Sequence, residues 1–259
     1  MSESGSASLR LGQICLVSAR LAQETENIKA ILGLEECYRD PKVARYALEN
    51  VLFPIGTDFI EIVAPTREDT AAGRFLERHG ACHGYMIIME CDDPARRQAH
   101  CAGMGVRTAH VIQHEDYLGV QLHPKDTGGA MLEFNRTVGG GDSLGPYAPA
   151  GANWQQAIRC DVTNRLVAAQ IECPDPGGLA SRWSQILQKP AQALMDGRWQ
   201  IALDSGAIHF LPSERADAVL AGIELQVVDR ERIVQAARAR GCLDTAAMVD
   251  ICGVRFQLS

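Results

Sequence analysis

The strongest constraint on how this chain can fold is that it repeats itself. The strand-like run YMIIMECDDP, closing on Glu90-Cys91-Asp92-Asp93-Pro94, returns as RLVAAQIECPDP, closing on Glu172-Cys173-Pro174-Asp175-Pro176. A helical pattern follows each copy, then short apolar runs separated by Gly, Asp and Pro turns, the trace that internal duplication leaves. The first such unit opens with GQICLVSARL, continues through a helical stretch from Glu24 to Leu32 stopped by Gly33, and ends in the paired runs of NVLFPIGTDFIEIVAP. The second starts at GYMIIMECDDP and ends in HPKDTGGAMLEF, and two further units follow a Gly/Pro-rich stretch. Mixed strand-helix-strand units of roughly fifty residues pair into curved sheets more readily than they stack into a solenoid. The expected fold is therefore α+β: four βαβββ units paired into two domains, residues 9–136 and 154–259, joined by a linker over 137–153. Each domain is expected to form an eight-stranded concave sheet with helices outside and inward side chains lining a cup.

One turn within this scheme delivers an acid where burial is expected. In HPKDTGGAMLEF, the Lys125-Asp126-Thr127-Gly128 turn sets the register of a short apolar strand that contains Glu133. A carboxylate facing a concave sheet must be hydrogen-bonded, ion-paired or coordinated to a cation, because leaving it bare costs several kcal/mol or shifts its pKa. A strand whose polar face looks at water fits the alternation equally well. Glu61 holds the same place in the first unit, as the only acid in the run FIEIVAP that follows the Gly56-Thr57-Asp58 turn.

With 259 residues and 46% hydrophobic content, the chain can build a substantial core. A net charge of −7 without clustered Lys or Arg points away from nucleic acid and membrane surfaces, and towards a small-molecule substrate or ligand. No apolar run is long enough to span a bilayer, and MSESGSAS reads as a frayed polar leader, so a cytoplasmic location is expected. Nine cysteines without C-x-x-C spacing read as reduced thiols, Cys15, Cys91, Cys160, Cys173 and Cys252 in or beside strand-like runs. Cys82 beside His83 is the one local thiol–base pair, but neighbours on a strand point to opposite faces. His110, His114 and His123 fall between strands near the mouth of the expected cup, where loop histidines are usually solvated.

HPKDTGGAMLEF, FLERHG and FPIGTDFIEIVAP together resemble the vicinal oxygen chelate superfamily, the glyoxalase and bleomycin-resistance fold, and the first half is similar to methylmalonyl-CoA epimerases and glyoxalase I. The resemblance covers Leu9 to Phe134 in its motifs and Arg165 to Leu258 only in the order of units. It implies a divalent metal, Zn, Ni, Co, Mn or Mg, held by one residue from the first and one from the last strand of each unit. Gln13, Glu61 and Glu133 match three of these positions, and all three residue types can ligate. The third position in chain order falls on Met86, whose thioether is a poor ligand among oxygen donors. His83 completes the set only if a bulge turns it inward, and Tyr85 reaches in only with the same shift. The corresponding second-half positions, Ala168, His209, Ile223 and Gln257, make no cation site, which assigns that domain a structural or lid role.

Two functions follow from the resemblance. In one, Gln13, Glu61 and Glu133, with His83 or water, hold a metal, and Glu61 or Glu133 moves a proton next to the carbonyl of a 2-oxo or acyl-thioester substrate, an isomerase, epimerase or lyase reaction. In the other, a metal-free cup sequesters an aromatic or amphipathic small molecule against Tyr85, Met86, Met131, Phe53 and Phe59. A ring-cleaving dioxygenase is the weakest reading, since no His stands at the first or third position. Whether the cups close within one chain or across a homodimer is left open.

Overall fold

The protein is described by a computed structural model covering residues 8–245 and 247–259. The polar leader lies almost wholly outside the described residues. The architecture is α+β, with two curved mixed sheets. In the first half, strands β1 (Leu9–Ser18), β2 (Leu48–Ile55), β3 (Asp58–Pro65), β4 (Cys82–Cys91), β5 (Thr108–Gln113), β6 (Tyr117–Leu122) and β7 (Met131–Thr137) form one sheet in the order β2-β3-β1-β4-β7-β6-β5. The second half contributes β8 (Thr163–Cys173), β9 (Ala191–Ala193), β10 (Trp199–Ala202), β11 (Ala207–Pro212), β12 (Val219–Val227), β13 (Leu243–Thr245), β14 (Met248–Ile251) and β15 (Val254–Leu258), in the order β13-β14-β15-β12-β8-β11-β10-β9.

The expectation of two eight-stranded sheets holds for the second half only. The first has seven strands, because the opening unit has no counterpart of β9. A 3-10 helix over Pro41–Tyr46 and a lone bridge between Tyr38 and Leu52 lie ahead of β2 instead.

The repeated Glu-Cys-Xaa-Asp-Pro motif has a local cause. Each Asp caps a helix and each Pro takes its first turn: Asp93 accepts from the Arg96 amide at 2.9 Å to start α3 (Pro94–Gly103). Asp175 accepts from the Gly178 amide at 2.9 Å to start α5 (Pro176–Leu187). An oxygen at the N-cap satisfies an orphan backbone donor, and Pro loses nothing where no backbone donor is needed. With α1 (Leu21–Leu32) and α6 (Arg230–Ala239), these helices cover the outer faces of the sheets. Their apolar sides and the outward strand residues of both halves form one continuous buried cluster, from Leu9 to Leu258. At the seam Gly84 is obligatory, since a Cβ there would meet the Leu220 carbonyl oxygen at 2.2 Å.

The concave face of the first sheet is closed differently at each end. Helix α2 (Ala71–His79), capped by the Thr70 hydroxyl, sets Ala72 and Leu76 against Cys15, Val17, Val63, Met86 and Ile88. At the other end the stretch expected as a plain linker folds into a 3-10 turn at Ala148–Ala150, and a second turn at Trp154–Ala157 opens the region expected as the second domain. Together they plug the cup with Tyr147 and Trp154, which pack on Phe59 at ring distances of 4.6 and 5.0 Å.

Candidate functional site

Strand register brings the two predicted acids to equivalent places. β1 and β3 run parallel with Cys15 beside Glu61, and β4 and β7 run parallel with Ile88 beside Glu133. Because strand residues alternate faces, Gln13, Cys15 and Glu61 share one side of the cup with Met86, Ile88 and Glu133. All six line one cavity of about 160 Å³, whose mouth carries Lys42, Arg45 and His114. Gln13, Glu61 and Glu133 are 2, 9 and 2% exposed.

Both carboxyls are held by uncharged donors. Glu61 accepts from the Asn50 amide at 2.6 Å and the Gln13 amide at 2.8 Å. Glu133 accepts from the Tyr117 hydroxyl at 2.6 Å and the Gln121 amide at 2.8 Å. The Tyr147 hydroxyl donates to Gln13 Oε1 at 2.8 Å and accepts from Asn135 Nδ2 at 3.2 Å, which fixes the Gln13 amide to face Glu61. Burial pushes both carboxyls above the ordinary range, and at Glu61 the charge of Glu133 adds to the rise. The amide and phenol hydrogen bonds offset part of it. Each oxygen takes one of these bonds and keeps a lone pair that can still bind a proton. The Cys15 thiol is pushed well up, first by burial and then by Glu61, so it stands in the wall as an inert thiol.

Several predicted residues lie elsewhere. His83 is not beside Glu61 or Glu133; it lines a separate cavity with Met131 and hydrogen-bonds its Nδ1 to the Gly84 carbonyl oxygen at 2.9 Å. Phe53 stands opposite Ile60 and faces the helices in the main core, away from the cup. Phe59 is on the concave side but covered by Tyr147 and Trp154. Tyr85 does reach in: the register shifts between Cys15–Met86 and Leu16–Gly84, and the bulge turns Tyr85 inward so that both it and Met86 line the cavity. The Cys82 sulfur engages Ser18, Arg20 and Glu24 rather than His83, and its pKa is held below the ordinary thiol value by the neighbouring Cys252, Ser18 and Arg20.

In the second sheet, Ile223 faces the helices in the main core, so it is not the concave position; Gly222 and Glu224 flank it on the strand. The polar groups there face one another: His209 Nδ1 lies 3.6 Å from Glu224 Oε2, beyond hydrogen-bond distance, and Gln170 donates to Gln257 at 2.7 Å.

Asn50, Tyr117, Gln121, Asn135 and Tyr147 were not read from the sequence as site residues. Gln121 had a signal, since hairpin pairing places it directly opposite Glu133. Tyr147 had none, lying in a stretch without periodicity.

The donor set does not fit the divalent metal that the resemblance implies. Gln13, Glu61 and Glu133 supply only three oxygen-bearing ligands, each oxygen already carrying one amide or phenol hydrogen bond, and the fourth position is the Met86 thioether, a poor ligand beside hard oxygens. Among the described residues, no three His, Cys, Asp or Glu side chains gather where they could hold a metal ion.

No family model matches the sequence, and no curated protein matches it. Solved structures do match. A hypothetical protein from Staphylococcus aureus superposes with TM-score 0.69 at 9% identity, over 97% of this chain and 98% of that one. A 4-hydroxymandelate synthase variant from Streptomyces coelicolor superposes with TM-score 0.67 at 11% identity, over 91% and 76%. A methylmalonyl-CoA epimerase from Streptomyces coelicolor, in complex with 2-nitronate-propionyl-CoA, is 22% identical over 51% of this chain and 99% of that one, with TM-score 0.46. The chain therefore has the vicinal oxygen chelate fold, built from two curved mixed sheets with helices. Among the described residues no helix is long and apolar enough to cross a membrane.

Proposed function

We propose that the first cup binds a small carbonyl compound, a 2-oxo acid or the acyl end of a thioester, and moves a proton next to its carbonyl. The observation that carries this reading is the pair of buried carboxyls, Glu61 and Glu133, on one cavity with their proton affinities raised. A buried carboxyl whose pKa is raised holds its proton more tightly and can give it, while its ionised partner can take one from the carbon beside the carbonyl. Repulsion between the two favours this singly protonated state. The amide and phenol donors hold each carboxyl in place and the α2 and Tyr147 plugs restrict water, so no step here runs through a metal. A cavity of about 150 Å³ accommodates a benzene-sized molecule, so this one suits a compact group with its anionic end at Lys42 and Arg45. Every group named comes from one chain, so the site needs no second copy. Nine free thiols accord with a reducing cytoplasm. The second sheet, its polar groups turned to one another, serves as support.

Hydrogen–deuterium exchange at the α-carbon of a panel of 2-oxo acids and acyl thioesters, followed by NMR in D₂O, tests this. Exchange is expected with at least one compound, unaffected by EDTA, and slowed about 100-fold or more in Glu61→Gln and in Glu133→Gln, as loss of a general acid or base entails. A second reading, metal-free sequestration, is favoured by the apolar wall of Val63, Met86, Ile88 and Ile112. Ligand-induced thermal stabilisation without exchange by any compound would select it and exclude proton transfer.

A further inference from the structure

A second cavity, of about 370 Å³, lies between α2, the start of β4, the segment joining β6 to β7, and the Ala218–Val219 approach to β12. Arg74, Arg78 and His79 from α2, His83 from β4, and His123 and Lys125 line it, while among the described residues no Asp or Glu does. In a chain of net charge −7, such a gathering of bases without a countercharge is unexpected. Arg74 and Arg78 lie one helical turn apart, where like charges repel. Their hydrogen bonds go to backbone carbonyl oxygens, Arg74 Nη1 to Asp69 at 2.7 Å and Arg78 Nε to Arg74 at 3.1 Å, and neither guanidinium joins an ion pair among the described residues.

Neighbouring groups report the same field. The His79 ring stacks on Phe75 at 4.3 Å and lies 5.2 Å from the His83 ring. Its pKa is held below the ordinary value, first by burial and then by His83 and Arg78, with Asp217 opposing. Like charges packed around a partly enclosed space keep an unfavourable mutual energy that an entering anion relieves. Two planar guanidinium forks beside an ammonium and imidazoles match a ligand with more than one negative charge and several acceptor oxygens. Phe75, Tyr85 and Met131 supply an apolar wall beyond the charges, and the volume exceeds what a bare phosphate fills.

We propose that this cavity binds the phosphate groups of a soluble organic phosphate. It shares only Tyr85 with the first cavity and uses neither Glu61 nor Glu133, so it stands whether or not the cup moves protons. Calorimetric titration of the full chain with ADP as the phosphate probe and adenosine as its uncharged counterpart tests it. One ADP per chain is expected, weakened by added salt, with no heat from adenosine. The double variant Arg74→Ala/Arg78→Ala should lose at least about tenfold in affinity, the loss of one charge-assisted hydrogen bond. Arg96→Ala, an exposed arginine on α3, and Glu61→Gln should bind as the unaltered chain does. A melting temperature unchanged in the double variant separates lost binding from lost folding. Equal binding of adenosine, an equal loss in Arg96→Ala, or no heat from ADP at millimolar concentration would overturn the proposal.

Discussion

Three buried carboxyls hold protons more tightly in the folded chain than an unfolded chain would. Asp58 is pushed up to about 7 by burial, despite Arg10 Nη1 at 3.5 Å, and Glu61 and Glu133 are raised for the same first cause. For a carboxyl whose folded pKa lies above its unfolded one, stability is complete at pH below the unfolded value. It is lost as the pH climbs to the folded value, because the unfolded chain then binds fewer protons. These carboxyls should therefore pull urea midpoints down from about pH 4 to about pH 7, the window between the ordinary 3.8 of Asp58 and its folded value of about 7. The Asp126 carboxyl, held below the usual range by Arg107, acts with the opposite sign at more acidic pH; His79 and His209, lowered first by burial, oppose the fall up to the ordinary 6.5, and the lowered Cys82 thiol opposes it above that. Glu61→Gln/Glu133→Gln should flatten the fall, leaving the part due to Asp58, Glu90 and Asp250, which burial also raises. A slope that the double variant leaves unchanged would contradict the assignment. At this scale Gln13, Glu61 and Glu133 were legible because polar residues stand out in apolar strands. Phe53 was misplaced because composition does not reveal which face of a strand a residue takes; its pairing with Ile60, not Glu61, decides that.

Strand β6 shows how one element makes a site. Tyr117, Gly119 and Gln121 alternate onto the side that meets Glu133, two of them donating to the carboxyl and the third leaving room for it. A Cβ at Gly119 would come within 2.9 Å of Glu133 Oε1 and of the Tyr117 ring. Gly119→Ala should displace the carboxyl, cost about 1–3 kcal/mol as overpacking does, and abolish exchange activity while the far-ultraviolet spectrum is retained. Unchanged stability and activity would mean that Glu133 is not confined as described. The repeat predicted this hairpin but not its neighbours in space. Tyr147 reaches Gln13 from 134 residues away along a glycine-rich path, and no local pattern encodes such a contact. The missing edge strand of the opening unit was equally hidden, since 3-10 and strand segments of this length have similar composition.

The whole molecule is joined by a core that does not respect the duplication. Trp183 in α5 donates to the Thr127 carbonyl oxygen at 2.9 Å, and the buried Arg97 reaches the Leu187 carbonyl oxygen at 3.1 Å, so each half closes part of the other. Calorimetry should show one cooperative unfolding transition, with calorimetric and van't Hoff enthalpies equal. Gly84→Ala, which forces a side chain against the Leu220 carbonyl oxygen, should lower that transition by roughly 2–4 °C for each kcal/mol of strain. Two resolved transitions would show that the halves fold independently. The order of units foretold both sheets; the seam between them depends on shapes such as Gly84 against Leu220 that only coordinates display.

The central claim is that two carboxyls share a hollow where water no longer fixes their protonation. Selective ¹³C labelling of the glutamate carboxyl carbons, with resonances assigned by Glu61→Gln and Glu133→Gln, reads that protonation directly. Both should titrate above the ordinary value of 4.5, and replacing Glu133 should lower the midpoint of Glu61. Midpoints at or below that ordinary value, with no effect of one replacement on the other residue, would contradict the account.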